Sequence, residues 1–570
     1  MTTVTFLFNK SNPYGISKDI EGMAASLKMY IGDYCTQRYA DPLEVPHKSD
    51  IHIHVEVPVY TWMPWAEKNI LVVNPEWFQE SWLPYMPRFT AVIYKDPLSA
   101  KEAVSKGYVT EKQVYVVPWG CAKPEQPPKV AKGTVDTGFV WFLGGSSSKR
   151  AYLPKMMRMW REHYPPLRIY SVEPVDLSGI VVQPNVRFET KDLNPTMKSG
   201  LSSFFRGHIA CSIAEGFSYA AAEAEWAGAY TLLNDLNCFV SDYTDCSGTH
   251  ILSAATDMLE EPLASAINEF EHTDLDAISV SRIQSAEKRY ERFLRRFSSV
   301  IENVMNIIPL LHLKNLPPIL LPSDCPPISI VTLLYNRRKF FDLACHNITM
   351  TDYPKDKIEW IVIEDSDNPA EDASDRVIAV AATAAPVKVV YVPLKKKASI
   401  SEKRNIAIEK ATADIVLMMD DDDHYPETSF RRRVAWLTKH AWAPRCVTAT
   451  TIACYDLVKG ISAVNTPPLG LPLGQRVSEA TLTFYKDWWV EKRFSYNVQI
   501  GEGEEFITGR EEQVLEIPPQ QIIVAFSHGA NTSSRRIPSG AEVKPGCFWG
   551  FPKEFLMFIH GLAGVKVVEE

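Results

Sequence analysis

The sequence predicts an α/β protein made of two Rossmann-like halves followed by a further α/β domain, and three observations in its 570 residues carry that reading. Short apolar, β-rich runs alternate with amphipathic helical stretches from the start of the chain, as in strand–helix–strand units. The alternation is completed twice, broken near 122–134 (AKPEQPPKVAKG), and then begins again. Before that restart lies IIPLLHLKNLPPILLPSDCPP, whose proline density argues against continuous helix or central strand.

In the first half, TVTFLF reads as a strand and SKDIEGMAASLKMYIGDY as the helix after it. DIHIHVEV, NILVVN, TAVIYK and QVYVVP follow as short strands, each ended by polar residues or proline. The second series opens with GFVWFLGG and continues through LRIYSV, HIACSI and AYTLLN, with helices expected over 150–163, 218–228 and 283–306. The third has strands at 328–334 and 358–364, PVKVVYV, helices at 338–349 and 399–411, and then ADIVLMMDDDD. The remainder, including EATLTFYKDWWV and QIIVAF, reads as a mixed β region. The expected division is 1–130 and 131–305 for the two halves, 306–326 for a proline-rich linker and 327–570 for the last domain.

Composition narrows the function classes. At 46% hydrophobic and 11% aromatic the chain can bury several cores, and its net charge of −9 argues against gripping nucleic acid or an anionic membrane. None of the ten cysteines forms a CxxC pair, so zinc and redox sites lack their usual spacing and reduced thiols are expected. MTTVTFLFNKSN does not read as a secretory signal, and FLMFIHGLAGVKVV is too short to span a bilayer. A cytoplasmic location with no transmembrane segment is the expectation, and the N-x-[ST] matches at Asn347 and Asn531 are read as chance.

The densest chemistry lies in ADIVLMMDDDDHYPE, where an apolar strand delivers Asp420, Asp421, Asp422 and Asp423 at its C-terminal end. Open α/β sheets bind ligands at that end. Four adjacent carboxylates repel one another, so a cation or many donors must offset the cost if they are even partly buried. Mg²⁺ or Mn²⁺ takes oxygen ligands of this kind and shares them with substrate phosphates. WIVIEDSDNP places Glu364 and Asp365 at the end of another strand, and ASISEKRNIAIEKA places Lys403, Arg404 and Asn405 early on a helix. IGEGEEF supplies Glu502, Glu504 and Glu505, and FSHGA supplies His528.

This order, with Asn336–Arg337 after the first strand, then IEDSD, KRN, LMMDDDD and GEGEEF, resembles the family-2 inverting glycosyltransferases of GT-A fold over about 326–530. The resemblance implies a nucleotide-sugar donor (UDP-, GDP- or TDP-linked) and a glycan or glycosylated acceptor. It places Asn336, Asp365, Arg404, Asn405 and Asp421 on the donor side, with Asp420 and Asp422 at the metal and diphosphate. His528 would be a third metal ligand. Inversion needs a general base for the acceptor hydroxyl. Family members carry an E-D pair at the GEGEEF position, so Glu505 is the expected base and Glu504 the alternative.

In the N-terminal half, CSIAEGFSYAAAEAEWAGAYTLLND separates Glu215 from Glu223 by seven residues, with Gly216 beside the first. This resembles the Glu-x7-Glu element of family-4 retaining glycosyltransferases of GT-B fold, which implies that Glu215 meets the donor sugar and Glu223 the ribose. FVWFLGGSSSKRA resembles the same family's first donor-side loop, implying that Lys149 or Arg150 meets the diphosphate; small residues before a helix start suit phosphate in any case. NKSNPYGIS has Gly15 as its only glycine where the family has a glycine-rich loop. His52, His54 and Glu56 share one face of a strand, which invites a metal or base reading, but a solvated polar face is the expectation. YTWMPW and NPEWFQESWLPY fit a sugar-stacking surface or a core equally. The whole sequence therefore predicts a bifunctional glycosyltransferase with an inverting and a retaining site. The rivals are one active GT-A site beside a dead acceptor-binding module, and a non-enzymatic nucleotide- or glycan-binding protein.

Overall fold

The computed structural model describes residues 1–11, 15–124, 136–253, 260–307, 320–440, 442–528, 531 and 546–565. The chain forms two compact units, one of residues 1–44, 49–59 and 68–309 and one of residues 45–48, 60–67 and 310–570. Most of the expected break at 122–134, of the linker at 306–326 and of the NPY segment in NKSNPYGIS lies outside the described residues.

The N-terminal unit has two six-stranded sheets. The first contains β1 (Thr2–Leu7), β2 (Cys35–Ala40), β3 (Ser49–Val55), β4 (Ala66–Val72), β5 (Ala91–Tyr94) and β6 (Val114–Val116), in the order β2-β1-β3-β4-β5-β6. The second contains β7 (Asp136–Gly144), β8 (Leu167–Ser171), β9 (Val186–Thr190), β10 (Phe205–Ile209), β11 (Tyr230–Asn234) and β12 (Thr249–Leu252), all parallel, in the order β12-β11-β10-β7-β8-β9. The expected pair of Rossmann-like halves is thus present as two α/β layers.

The cores of these layers do not follow a cut at residue 130. The helix Leu275–Asn306 starts eight residues before the expected 283, at Asp274, whose side chain accepts from the Ala277 N–H. Its later turns place Phe293, Phe297, Val300, Ile301 and Val304 in the core of the first sheet, against Val4, Phe6, Met23 and Ile53. A late segment therefore completes an early core.

The solvated face expected for His52, His54 and Glu56 is corrected. β3 sits inside the sheet between β1 and β4, and parallel sheets are covered on both faces. His52 and His54 are fully buried. His54 Nε2 meets Asn69 Oδ1 at 3.0 Å, and its Nδ1 accepts from the Val59 N–H. Glu56 leaves the strand with φ of 71° and accepts from Asn74 Nδ2. The aromatic segment divides, with Trp62, Trp82 and Tyr85 buried and Trp77 exposed.

The C-terminal unit contains β13 (Ile328–Leu334), β14 (Ile358–Glu364), β15 (Lys388–Pro393), β16 (Ile415–Met418), β17 (Cys446–Thr448), β18 (Ile452–Asp456), β19 (Ile461–Asn465), β20 (Thr483–Tyr485), β21 (Val514–Glu516) and β22 (Val524–Ser527). Seven strands run in the order β15-β14-β13-β16-β20-β17-β21, and β19-β18-β22 form a second sheet. β15, β14, β13 and β16 are parallel, while β20 is antiparallel to β16. The chain moves outward from β13 to β14 and β15 and then crosses to β16 on the other side. The C-terminal ends of β13 and β16 flank that switch in strand order, the crevice where open α/β sheets bind ligands.

Candidate functional site

The aspartate run follows β16 at this switch. Among the described residues, Asp420, Asp422 and Asp423 each offer an oxygen, all within 4.8 Å of one another. His528, just past β22, points Nε2 at Asp422 Oδ2 at 3.1 Å, and its ring lies 4.2 Å from that of Phe340. Asn531 joins the same edge, donating from Nδ2 to Asp422 Oδ2 at 3.3 Å. Arg337, just after β13, donates from Nη1 to Asp421 Oδ1 at 3.0 Å and Asp422 Oδ2 at 2.5 Å. Burial pushes the Asp421 carboxyl up to about 7, against the pull of Arg337 and with the Asp422 and Asp420 charges adding to it. Asp421 Oδ2 is buried without a hydrogen-bond partner. Clustered oxygens, an adjacent imidazole nitrogen and an unmet buried carboxylate oxygen fit a hard divalent cation such as Mn²⁺ or Mg²⁺.

Three buried tethers hold the run in place. Tyr425 OH takes the Asp420 N–H at 2.9 Å and donates to the Ala480 carbonyl at 3.1 Å. Arg433, fully buried, donates to the Met418 and Leu482 carbonyls at 2.9 and 2.8 Å. Asp423 Oδ1 accepts from the Phe526 N–H of β22, which fixes the aspartate turn against the second sheet.

The expected donor-side residues separate into two groups. Asn336, with φ of 52°, ties the ends of β13 and β14 together through Asp367 and Asn368. Arg404 is buried, lies 3.7 Å from Asp420 Oδ1 and donates from Nε to Glu502 Oε1 at 2.8 Å. Asp365 and Asn405 are turned into the protein. Asp365 is held by Lys403 Nζ at 2.7 Å and the Ala398 N–H at 2.9 Å. Asn405 donates to the Phe494 carbonyl and accepts from Trp489 Nε1 and the Phe494 N–H. Both fasten elements together, and neither has a carboxyl or amide edge left facing solvent.

On the helix Glu502–Ile507, Glu504 and Glu505 point outward. Both are exposed; Glu504 accepts from Gln475 Nε2 at 2.8 Å, and Glu505 accepts from the Ser495 hydroxyl. Glu502 faces inward onto Arg404. Beside it stands Glu479, a residue the sequence reading did not single out, which accepts from the Gly503 N–H at 3.3 Å. Burial together with the Glu502 charge pushes the Glu479 carboxyl up to about 7. A β-carbon at Gly503 would lie 3.1 Å from Glu479 Oε1 and 2.8 Å from a Val477 methyl, so a larger residue there would crowd both side chains.

In the N-terminal unit, Glu215 and Glu223 flank the turn into the helix Tyr219–Trp226, capped by Ser218. Lys149 Nζ lies 3.7 Å from Glu215 Oε1, whereas Arg150 turns away to Glu173. Gly216 packs against Asn74 and Glu76, where a β-carbon would come within 2.9 Å of Glu76 Oε2. Glu223 holds Lys18 at 2.5 Å and Lys198 at 2.7 Å. Burial opposes its charge, but the two ammonium groups prevail and bring the carboxyl down to about 2. Lys18 and Lys198 sit in ordinary polar stretches, and no local signal distinguishes them.

The glycosyl transferase family 2 profile matches residues 329–451, which contain β13, Asn336–Arg337, Asp365, Arg404 and the whole aspartate run. The C-terminal unit therefore carries a glycosyltransferase domain. No curated protein matches the sequence. Solved structures similar to the chain include the mannosyltransferase PcManGT from Pyrobaculum calidifontis in complex with GDP-Man and Mn²⁺, at 17% identity and TM-score 0.29, covering 36% of this chain and 58% of that one. Staphylococcus aureus TarS 1–349 in complex with UDP-GlcNAc is 15% identical with TM-score 0.29, over 36% and 60% of the two chains. A trehalose-6-phosphate protein from E. coli bound with UDP-2-fluoro glucose is 10% identical with TM-score 0.41, over 54% and 100%. The chain thus spans about three fifths of the first two. Among the described residues, no helix is long and apolar enough to cross a membrane.

Proposed function

We propose that this chain transfers sugars from UDP-, GDP- or TDP-linked donors to a growing glycan, using an inverting, metal-dependent site in the C-terminal unit and a retaining site in the N-terminal unit. One observation carries the first part: the Asp420, Asp422 and Asp423 oxygens cluster at the sheet's switch point, inside the segment that matches glycosyl transferase family 2. Asp420, Asp422 and His528 would hold a divalent cation, with Asp423 available as a further ligand, and Mn²⁺ or Mg²⁺ bound there would supply positive charge to offset that of the nucleoside diphosphate leaving group. Asn336 shapes the donor loop, and Arg404 sets Asp420 in place from behind. Asp365 and Asn405 act indirectly, by fixing the loop and helix on which the donor rests. Arg337 and Asp421 bring a matched charge pair to the diphosphate side.

The retaining site rests on Glu215, Gly216 and Glu223, with Lys149 toward the diphosphate. Lys18 and Lys198 together occupy Glu223, and this favours a second reading in which the N-terminal unit binds a ligand without transferring it. Full-length Glu215→Ala and Asp422→Asn variants separate the readings when transfer products are resolved by mass. Two sites predict loss of two different additions. Loss of all transfer in Asp422→Asn, with none in Glu215→Ala, leaves a single active site.

A further inference from the structure

We propose that Glu479 is the general base of the C-terminal site, the carboxylate that takes the proton from the attacking hydroxyl. The assignment rests on the transfer reaction proposed above and goes beyond the GEGEEF segment, where the sequence places the base. Of the glutamates there, Glu504 and Glu505 are exposed and bound to Gln475 and Ser495, and Glu502 is committed to Arg404.

Topology brings Glu479 to the reaction centre. β20 runs antiparallel to β16, pairing Thr483 with Leu417, so the turn entering β20 lies beside the residues leaving β16. That turn is Glu479–Thr481, and the residues leaving β16 are the aspartates. Two connections fix the neighbourhood. Tyr425 OH bridges the Asp420 N–H to the Ala480 carbonyl, and Arg404 stands between Asp420 and Glu502, which adjoins Glu479.

The charged groups facing Glu479 are Glu502 from the helix Glu502–Ile507 and Arg404 from the helix Ile400–Lys410, with the Gly503 N–H on one oxygen. Glu479 is half-buried, so it keeps an opening to an incoming hydroxyl while Glu502 opposes its ionisation. A base that titrates near neutrality suits this role. In the step itself the acceptor O–H bond breaks and its proton passes to Glu479. The oxygen's electron pair forms the new bond to the anomeric carbon from the face opposite the leaving group. The bond from that carbon to the diphosphate oxygen breaks, and its electron pair leaves with the nucleoside diphosphate.

The test uses full-length wild type, Glu479→Gln and Glu505→Gln, each in a Glu215→Ala background that silences the N-terminal site, with a panel of UDP- and GDP-sugars and Mn²⁺. It reads nucleoside diphosphate release to water or acceptor as a function of pH, and UDP and GDP binding by calorimetry. Glu479→Gln is expected to bind UDP or GDP as wild type does while losing about 10²- to 10⁴-fold in rate. The wild-type rise of rate through neutral pH, as the base loses its proton, should flatten in the variant. A Glu479→Gln enzyme with full rate and an unchanged pH profile overturns the assignment, as does a loss of rate that appears in Glu505→Gln instead. A wild type that releases nucleoside diphosphate from no donor overturns the transfer reading, and the assignment with it.

Discussion

Arg337 offsets two carboxylates of the aspartate turn, so Arg337→Gln should destabilise the C-terminal unit in a way that a divalent cation repairs. Asp421 and Asp422 side chains are 3% and 9% exposed, and that of Arg337 is 18% exposed. Removing one partner of a buried ion pair costs roughly 3–5 kcal/mol, because it strands the other charge. Water reaches Arg337, which places the cost near the lower end, about 3 kcal/mol. At about 2–4 °C per kcal/mol for a unit of this size, the corresponding transition falls by roughly 6–12 °C. Arg337 and the cation share the Asp422 carboxylate, so Mn²⁺ should bind the variant more tightly than wild type, and at saturation a hundredfold gain in affinity returns about 2.7 kcal/mol of the gap. Scanning calorimetry of wild type and variant, with chelator and with Mn²⁺, reads both effects. The gap between the two proteins should be wide in chelator and narrow in Mn²⁺. A variant that melts within about 1 °C of wild type in chelator, or a gap that Mn²⁺ leaves unchanged, refutes the charge-matching argument.

Two further predictions concern the N-terminal unit. Glu223 has a folded-state pKa near 2, below its ordinary 4.5, so its ion pairs contribute stability above pH 4.5 that is lost as pH falls toward 2. Glu223→Gln should cost about 3 kcal/mol at pH 7 in urea unfolding and progressively less in acid; an equal cost at both ends would contradict the lysine clamp. Burial holds His54 and His208 down to about 4, so the unfolded chain binds more protons than the folded one between pH 4 and 6.5. Stability should therefore fall as pH drops through that window, by up to about 1.4 kcal/mol per pH unit for each histidine. A His54→Gln, His208→Gln double variant should lose most of that slope in the same titration, and an unchanged slope would contradict it.

The sequence and the structure agree where signals are contiguous. ADIVLMMDDDD carries its own strand, its exit and its chemistry in one run, so the place of the aspartates was readable without partners. The strands at 328–334 and 358–364 were equally readable, being unbroken apolar runs. What eluded the sequence depends on neighbours that are distant along the chain. Glu479 lies 24 residues before Gly503, whose N–H it accepts, and more than 50 residues after the aspartates, beside which the antiparallel pairing of β20 with β16 places it. Asp365 reads as an exposed ligand residue until Lys403, 38 positions later, closes over it. Asn405 sits beside Arg404 in a promising motif yet faces the other way, into Phe494 and Trp489, because successive helical residues diverge by about 100°. His52 and His54 look amphipathic on period two, and only the strand order reveals that both faces of β3 are covered.

The central claim is that the aspartate cluster after β16 binds a divalent cation and drives sugar transfer from a nucleotide donor. The most direct measurement is nucleoside diphosphate release from a panel of UDP-, GDP- and TDP-sugars by full-length wild type and Asp422→Asn, both in a Glu215→Ala background that silences the N-terminal site, each with Mn²⁺ and with chelator. The account predicts release by wild type with at least one donor in Mn²⁺, its collapse in chelator, and its absence in Asp422→Asn under both conditions. Release that survives chelation, or that persists in Asp422→Asn, would contradict it.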